Sequence, residues 1–356
     1  ISMTYARTFA TTGELVWFPG AGRVQGFTNP LWTLYMAGLH GIGLAGPWAS
    51  LMVSLTGVAA VLGCGVLASR LVSRLLTGWT HAPVASAVAG GSVLLLYPLV
   101  FWALRGMEVG VLALLALILI TLAAATLRAW VDGRSPTRLL AGAGAAAVVG
   151  ITIRFDFLTV AAVVLGLLAW WAPRKRSVLA FAALPAVVSA MVVLGAQKAY
   201  YGDWFPNTYY LKMAGVALTD RLGRGVLATG QSLPLLVATG ICVVLGLRFG
   251  SSSVVRRCVA MLGGVVAVSA AYSVWVGGDA WENQLVANRY LTVALPCALV
   301  VAVIGMSEWM RAEGPADRRK LGGVLLTIPL ASIAQGVLVN PTRYSWVLGA
   351  AGAAVI

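Results

Sequence analysis

Residues 109–127 read VGVLALLALILITLAAATL, nineteen positions without one charged side chain, bounded by Glu108 in front and Arg128 behind. As an α-helix this stretch is about 28 Å long, the thickness of a bilayer's hydrocarbon core. It is apolar on every face, so it suits surroundings of lipid or other apolar helices. Comparable runs lie at roughly 48–69, 84–104, 139–153, 157–172, 177–197, 226–247, 258–276, 290–307 and 322–339, with a shortened one from about 345. Of 356 residues 60% are hydrophobic and 10% charged, against about 25% charged in an ordinary soluble domain. One apolar run could be a signal sequence, but so many cannot. We therefore expect an all-α polytopic membrane protein, a transmembrane helical bundle with about ten complete spans.

The net charge of +14 would suggest a nucleic-acid partner if the basic residues formed one surface. They fall instead into five short gaps: Arg70 and Arg74; Arg128, Arg134 and Arg138; Arg174, Lys175 and Arg176; Arg248, Arg256 and Arg257; Arg311, Arg318, Arg319 and Lys320. Each group follows an odd-numbered span, the pattern of cytoplasmic loops. The intervening loops near 104–108, 154–156, 198–225, 277–289 and 340–344, and the leading segment 1–30, then face the periplasm or cell exterior. The chain divides accordingly into a first outer loop, 1–30, and a membrane bundle, 31–356. Segment 31–45, between Pro30 and Pro47, is about 15 residues long and carries Gly38, Gly41 and Gly43. It is short for a crossing and reads as an interfacial or re-entrant helix. The chain opens in a polar outer segment and ends inside an apolar run, so we expect a helix upstream and further chain downstream.

Of eleven acidic residues, only Asp132, Glu308, Glu313 and Asp317 fall on the basic side. Glu14, Glu108, Asp156, Asp203, Asp220, Asp279 and Glu282 fall on the other, several beside a cation: Arg105 with Glu108, Arg154 with Asp156, Lys212 after Asp203, Arg289 after Glu282. Each pair alone could be a helix-end ion pair. Together they would line a polar cavity in which Arg and Lys can bind phosphate and the acids serve as base, metal ligand or hydroxyl acceptor. Trp17, Phe18, Trp204, Phe205, Tyr209, Tyr210, Trp275 and Trp281 share these loops, as an interfacial belt, a sugar-stacking surface, or both. Cys64, Cys242, Cys258 and Cys297 lack metal-ligand spacing and read as packing residues. His40 and His81 read as structural or solvated, and Gly142–Gly150 as a close helix contact.

These loops resemble those of the polyprenyl-phosphate-sugar-dependent glycosyltransferases of the GT-C class, particularly the branch of actinobacterial terminal arabinofuranosyltransferases. Ile1 to Arg7, Gly13 to Gly20 and Arg23 to Trp32 are similar to the family's first outer loop. Arg105-Gly106-Met107-Glu108 resembles its Gly-(Leu/Met)-Glu-Thr element, with Val109 in place of Thr. Thr152-Ile153-Arg154-Phe155-Asp156 is similar to its Thr-Arg-Pro-(Glu/Asp) element, with Phe155 in place of Pro. Tyr200 to Lys212 resembles a further outer-loop signature, and Gly277-Gly278-Asp279 with Asn288-Arg289-Tyr290 its Gly-Gly-Asp to Arg-(Tyr/Phe) stretch.

The resemblance implies a GT-C-like fold and an inverting transfer of a sugar, arabinofuranose by nearest branch. The donor would be a polyprenyl-phosphate sugar and the acceptor a cell-envelope glycan or glycolipid, at the outer face of a multi-pass protein. The family's general base is an Asp pair directly preceding the segment that matches Ile1, so no residue of this sequence takes that role by motif. Arg154, Lys212 and Arg289 are the expected donor-phosphate ligands. Tyr5, Arg7, Asn29, Glu108, Asp156, Asn207, Asp279 and Glu282 are expected to order sugar or acceptor hydroxyls or to support the loops. A divalent metal is compatible with these acids, though no spacing is diagnostic. A polyprenyl-lipid transporter or flippase and a non-catalytic membrane assembly subunit are the competing readings.

Overall fold

The computed structural model describes residues 1–44, 46–278 and 288–312, and among them every regular element is helical. In order these are α1 (Ser2–Thr12), α2 (Pro30–Gly41), α3 (Pro47–Leu75), α4 (Ala82–Leu94), α5 (Tyr97–Leu104), α6 (Val109–Val131), α7 (Thr137–Ile153), α8 (Phe157–Trp171) and α9 (Lys175–Val178). A π-helical turn (Leu179–Ala183) joins α9 to α10 (Leu184–Tyr201). Then come α11 (Asn207–Met213), α12 (Leu218–Gly230), α13 (Leu233–Phe249), α14 (Ser253–Trp275), α15 (Arg289–Thr292) and α16 (Leu295–Ala312).

The opening stretch, now α6, is the axis of the bundle. It packs on α3, α5, α7, α8, α14 and α16, and Leu112, Leu117, Leu119, Ile120 and Leu127 are fully enclosed. In its most apolar window 61% of residues are buried, against 28% for the span Lys175–Tyr201. The second helix therefore lies at the rim, its Val187, Val188, Met191 and Val192 turned outward. Small residues let the helices touch: a side chain on Gly144 would collide with the Phe181 carbonyl, and one on Gly150 with the Phe157 ring. The expected close contact at 142–150 is thus made. All four cysteines are free and buried, as packing residues are.

Among the described residues five helices are long and apolar enough to span a membrane, seven if each bent pair is one span, where the expected count over the whole chain is about ten; the expected span 322–339 lies outside the described residues. The pair α4–α5 bends by 46° and α12–α13 by 74°, each where a proline at the start of the second helix, Pro98 or Pro234, removes an N–H from the ladder. The expected span 226–247 is therefore two elements: α13 is the apolar rod, and α12 lies across its end. Helices α7 and α8, with 17 and 15 residues, reach only about 25 and 22 Å. They form a hairpin that turns at Arg154–Asp156, against the start of α6. The link between them carries the charged residues Arg154 and Asp156.

Contacts mark the two ends of the bundle. Ser54 donates to the Leu104 carbonyl and Arg154 to Glu108, which places the starts of α3 and α6 and the apex of the α7–α8 hairpin at one end. At the opposite end the Arg257 guanidinium lies over Trp171. There Glu308 accepts from the Ser251 backbone N–H at 2.6 Å and from its hydroxyl at 3.1 Å, with Arg311 at 3.8 Å. Helix α2, with 12 residues, is too short to cross. It starts at the loop end and packs beside α3, with Tyr35 Oη 2.6 Å from Thr56 Oγ1.

Candidate functional site

Four of the expected residues meet in one buried network. Glu108 caps the start of α6 and Asn29 the start of α2, while Arg154 and Asp156 are the end residues of the three-residue link between α7 and α8. Arg154 donates from Nη1 to Glu108 Oε1 at 3.0 Å and from Nε to Asp156 Oδ1 at 2.6 Å. Asn29 Nδ2 donates to the other Glu108 oxygen at 2.8 Å, while Asn29 Oδ1 accepts from Ser2 Oγ at 2.8 Å and Thr33 Oγ1 at 3.2 Å. Glu108 is 1% and Arg154 6% exposed. Asn29 makes no side-chain capping bond to its own helix. A favoured N-cap residue has given its amide to the network instead, a local rule broken where the tertiary contact matters more.

The electrostatics are self-consistent. Burial alone would raise the Glu108 carboxyl. The Arg154 guanidinium, Glu108's own backbone N–H, the Asn29 amide and the Arg289 charge outweigh it and hold the acid below the usual range. Burial likewise disfavours charge on Arg154, but Asp156 and Glu108 overcome it and raise its pKa. The start of α6 adds the positive end of a helix dipole. The expected pairing of Arg105 with Glu108 is not what forms: Gly106, at φ 73°, turns the chain between them, and Arg105 lies over Phe101 at 4.2 Å. Sequence proximity misled here, because the true partner is 46 positions on.

Arg289 joins the network through α15. Asn288 caps this short helix, its Oδ1 accepting from the backbone N–H groups of Tyr290 and Leu291. Its Nδ2 donates to the buried Ser273 Oγ at 2.6 Å, and that oxygen also bonds Thr229 Oγ1 at 2.9 Å. The Tyr290 ring lies near both cations, 5.6 Å from the Arg154 guanidinium and 5.1 Å from that of Arg289, with Tyr272 edge-on at 5.5 Å. Glu108, Asp156, Arg154 and Arg289 together sum to zero charge. The cleft between Asp156, Thr159, Tyr272 and Tyr290 holds about 10 Å³, roughly the room for one water. The cluster is too tightly packed to enclose anything larger.

The first outer loop is clasped to the loop that follows α10. Tyr5 Oη donates to the Val24 carbonyl at 2.6 Å and accepts from the Gly26 N–H at 3.1 Å, while its ring meets Trp17 and Phe27 edge-on. Burial raises the Tyr5 phenol, partly offset by the Gly26 bond, so the hydroxyl is neutral and available to donate. Tyr200 Oη accepts from the Leu15 N–H and Tyr201 Oη donates to the Leu15 carbonyl, each at 2.9 Å. Asn207 contributes its backbone N–H, to the Gln25 carbonyl at 3.0 Å, while its side chain is exposed. Arg7 is exposed on α1. Lys212 lies on α11, with its side chain outside the described set; Asp279, Glu282 and Trp281 are outside the described residues altogether.

Ser2, Ser273, Asn288 and Tyr290 were not singled out as site residues from sequence, and for the two serines nothing local distinguishes them from other small polar residues. The expected structural reading of the histidines fits their contacts, His40 against Met3 Sδ and His81 edge-on to Trp79. Among the described residues no three His, Cys, Asp or Glu side chains gather closely enough to hold a metal ion.

No family model and no curated protein matches this sequence. Among solved structures the chain is similar to the crystal structure of ArnT from Cupriavidus metallidurans in the apo state, with a TM-score of 0.55 and 15% identity. The match covers 92% of this chain and 57% of that one, so this chain spans little more than half the length of its structural relative. At this identity the likeness shows the fold alone: an ArnT-like all-helical bundle with apolar helices long enough to span a membrane.

Proposed function

We propose that the chain is the catalytic membrane part of a polyprenyl-phosphate-sugar-dependent glycosyltransferase. The observation that carries this reading is the buried Asn29–Glu108–Arg154–Asp156 network with Arg289 beside it, at the loop end of a bundle with the ArnT fold. The basic groups at the opposite end favour an outward-facing site. In the reaction an acceptor hydroxyl oxygen bonds to the anomeric carbon from the face opposite the phosphate. The carbon–oxygen bond to phosphate breaks, its electron pair leaves with the polyprenyl phosphate, and the hydroxyl proton passes to a carboxylate. The donor is a polyprenyl-phosphate sugar, arabinofuranose by nearest resemblance, and the acceptor a cell-envelope glycan or glycolipid.

The side chains divide this work by their partners. Arg154, between two carboxylates, is better suited to positioning than to its expected role as a phosphate ligand. Arg289 and Lys212 are the cations proposed to stabilise the leaving phosphate. Glu108 and Asp156 fix Arg154, and Asn29 ties that cluster to α1 through Ser2. Tyr5, Arg7 and Asn207 shape the loop above this network, and Asp279 and Glu282 are proposed for sugar or acceptor hydroxyls. The bent pairs α4–α5 and α12–α13 are a feature a transporter would share, but transporters bind near the midplane on such breaks. Here the ionisable cluster sits at helix ends.

Arg289→Ala in the complete protein tests this assignment. Transfer from a labelled polyprenyl-phosphate sugar should fall by about two orders of magnitude or more, with the unfolding transition unchanged. Full activity in that variant rejects the role.

A further inference from the structure

A second cation lies at the loop end, apart from the network above. Arg221 on α12 is 8% exposed, yet no carboxylate stands within ion-pair distance of it among the described residues. Its Nε is buried without a hydrogen-bond partner among the described residues. Its Nη1 meets Met213 Sδ at 2.9 Å, a weak acceptor. The guanidinium carbon lies over Trp275, 4.7 Å from the ring centroid, a cation–π contact that supplies no anionic acceptor.

The surrounding backbone is built close around this side chain. A side chain on Gly225 would strike the Val274 carbonyl, so α12 rests directly on the end of α14. Gly277, at φ 81°, passes over Arg221, where an added Cβ would come within 3.1 Å of its Cγ. Helix α12 bends 74° away from α13 and turns Leu218, Val226 and Leu227 outward, the face of a helix lying in the headgroup layer. A buried guanidinium with no anion among the described residues is unfavourable, and the abundant anion of a headgroup layer is phosphate, which the planar fork fits in bidentate fashion.

We infer that Arg221, seated on Trp275, is a phosphate-binding site for a phosphate-bearing lipid. The shared chemistry is a lipid phosphate, supplied either by the polyprenyl-phosphate donor or by a bilayer phospholipid. Only the first source rests on the proposed function.

The purified full-length protein is titrated in neutral detergent with farnesyl phosphate and, separately, with a short-chain phosphatidylglycerol, with bound lipid read by native mass spectrometry. Arg221→Gln should weaken binding about tenfold or more, the loss of one charge-assisted bidentate contact. Arg224→Gln, which removes an equal charge from the exposed face of α12, should not. Loss for farnesyl phosphate alone assigns the site to the donor, and loss for both lipids to the bilayer phosphate. Unchanged affinity for both overturns the inference and leaves Arg221 as a support for Trp275. Arg221→Lys, which keeps the charge and stem, should retain the wild-type unfolding transition and part of the affinity; if Arg221→Gln misfolds, full loss of binding in a folded Arg221→Lys shows that the guanidinium fork is required, and unchanged binding overturns it. A wild-type protein that transfers no sugar yet loses lipid binding in Arg221→Gln refutes the proposed function and leaves this site standing.

Discussion

Glu108 and Asp156 share one guanidinium, and that sharing makes a quantitative prediction. In Glu108→Gln the Arg154 side chain keeps Asp156 at 2.6 Å, and in Asp156→Asn it keeps Glu108 at 3.0 Å. Each single variant should therefore lose one charge-assisted hydrogen bond, about 1.5–3 kcal/mol. Part of that loss is returned, because two buried carboxylates beside one cation repel each other. The double variant leaves Arg154 buried with no acid, next to the like charge of Arg289, and removing the last partner of a buried ion costs about 3–5 kcal/mol. The double variant should thus exceed the sum of the singles by about 1–3 kcal/mol. Reversible unfolding in mixed micelles titrated with SDS, followed by tryptophan fluorescence and helicity, would measure all three. Additivity within about 0.5 kcal/mol, or a single variant as damaging as the double, would refute the shared-cation account.

Other consequences follow from neighbouring contacts. Because Glu108 is held below its usual range, its contribution to stability is complete above the unfolded value of about 4.3 and is lost as pH falls through the lower folded value. Stability should be level from about pH 5 to 8 in respect of this group and fall below about pH 4, a fall that pH-dependent unfolding should find reduced in Glu108→Gln. Tyr5→Phe removes both hydroxyl bonds to Val24 and Gly26; it should cost about 1–2 kcal/mol and speed proteolytic cleavage within 13–28. Gly144→Val places a branched side chain against the Phe181 carbonyl and should cost about 1–3 kcal/mol, seen as an earlier SDS midpoint; an unchanged midpoint would show that α7 and the π-helical turn separate at no cost.

Much of the fold was written in apolar run lengths and charge placement, since a span needs length and freedom from charge and little else. What run length could not show was where a run bends. Pro98 and Pro234 were visible in the sequence, but a proline near a helix start is compatible with a continuous span or a 46° or 74° break. The α7–α8 hairpin was counted as two full spans although its runs, 139–153 and 157–172, are as short in the sequence as the helices are in space; only the contact of Arg154 with Glu108, 46 residues apart, was hidden. At the site, residue types were legible and pairings were not. Arg105 was the nearest cation to Glu108 in the chain, yet the turn at Gly106 sends it to Phe101. Nothing in the sequence distinguishes Arg221 from the other basic residues of its segment, because burial is a property of packing.

The central claim is transfer of a sugar from a lipid phosphate, and the most direct measurement is a turnover assay on the full-length protein in membranes with a panel of labelled polyprenyl-phosphate sugars. The account predicts glycosylated acceptor with inverted anomeric configuration and an equal yield of free polyprenyl phosphate, from at least one donor, with the product on the side opposite the basic loops. Movement of intact donor across the membrane with no sugar released would contradict it.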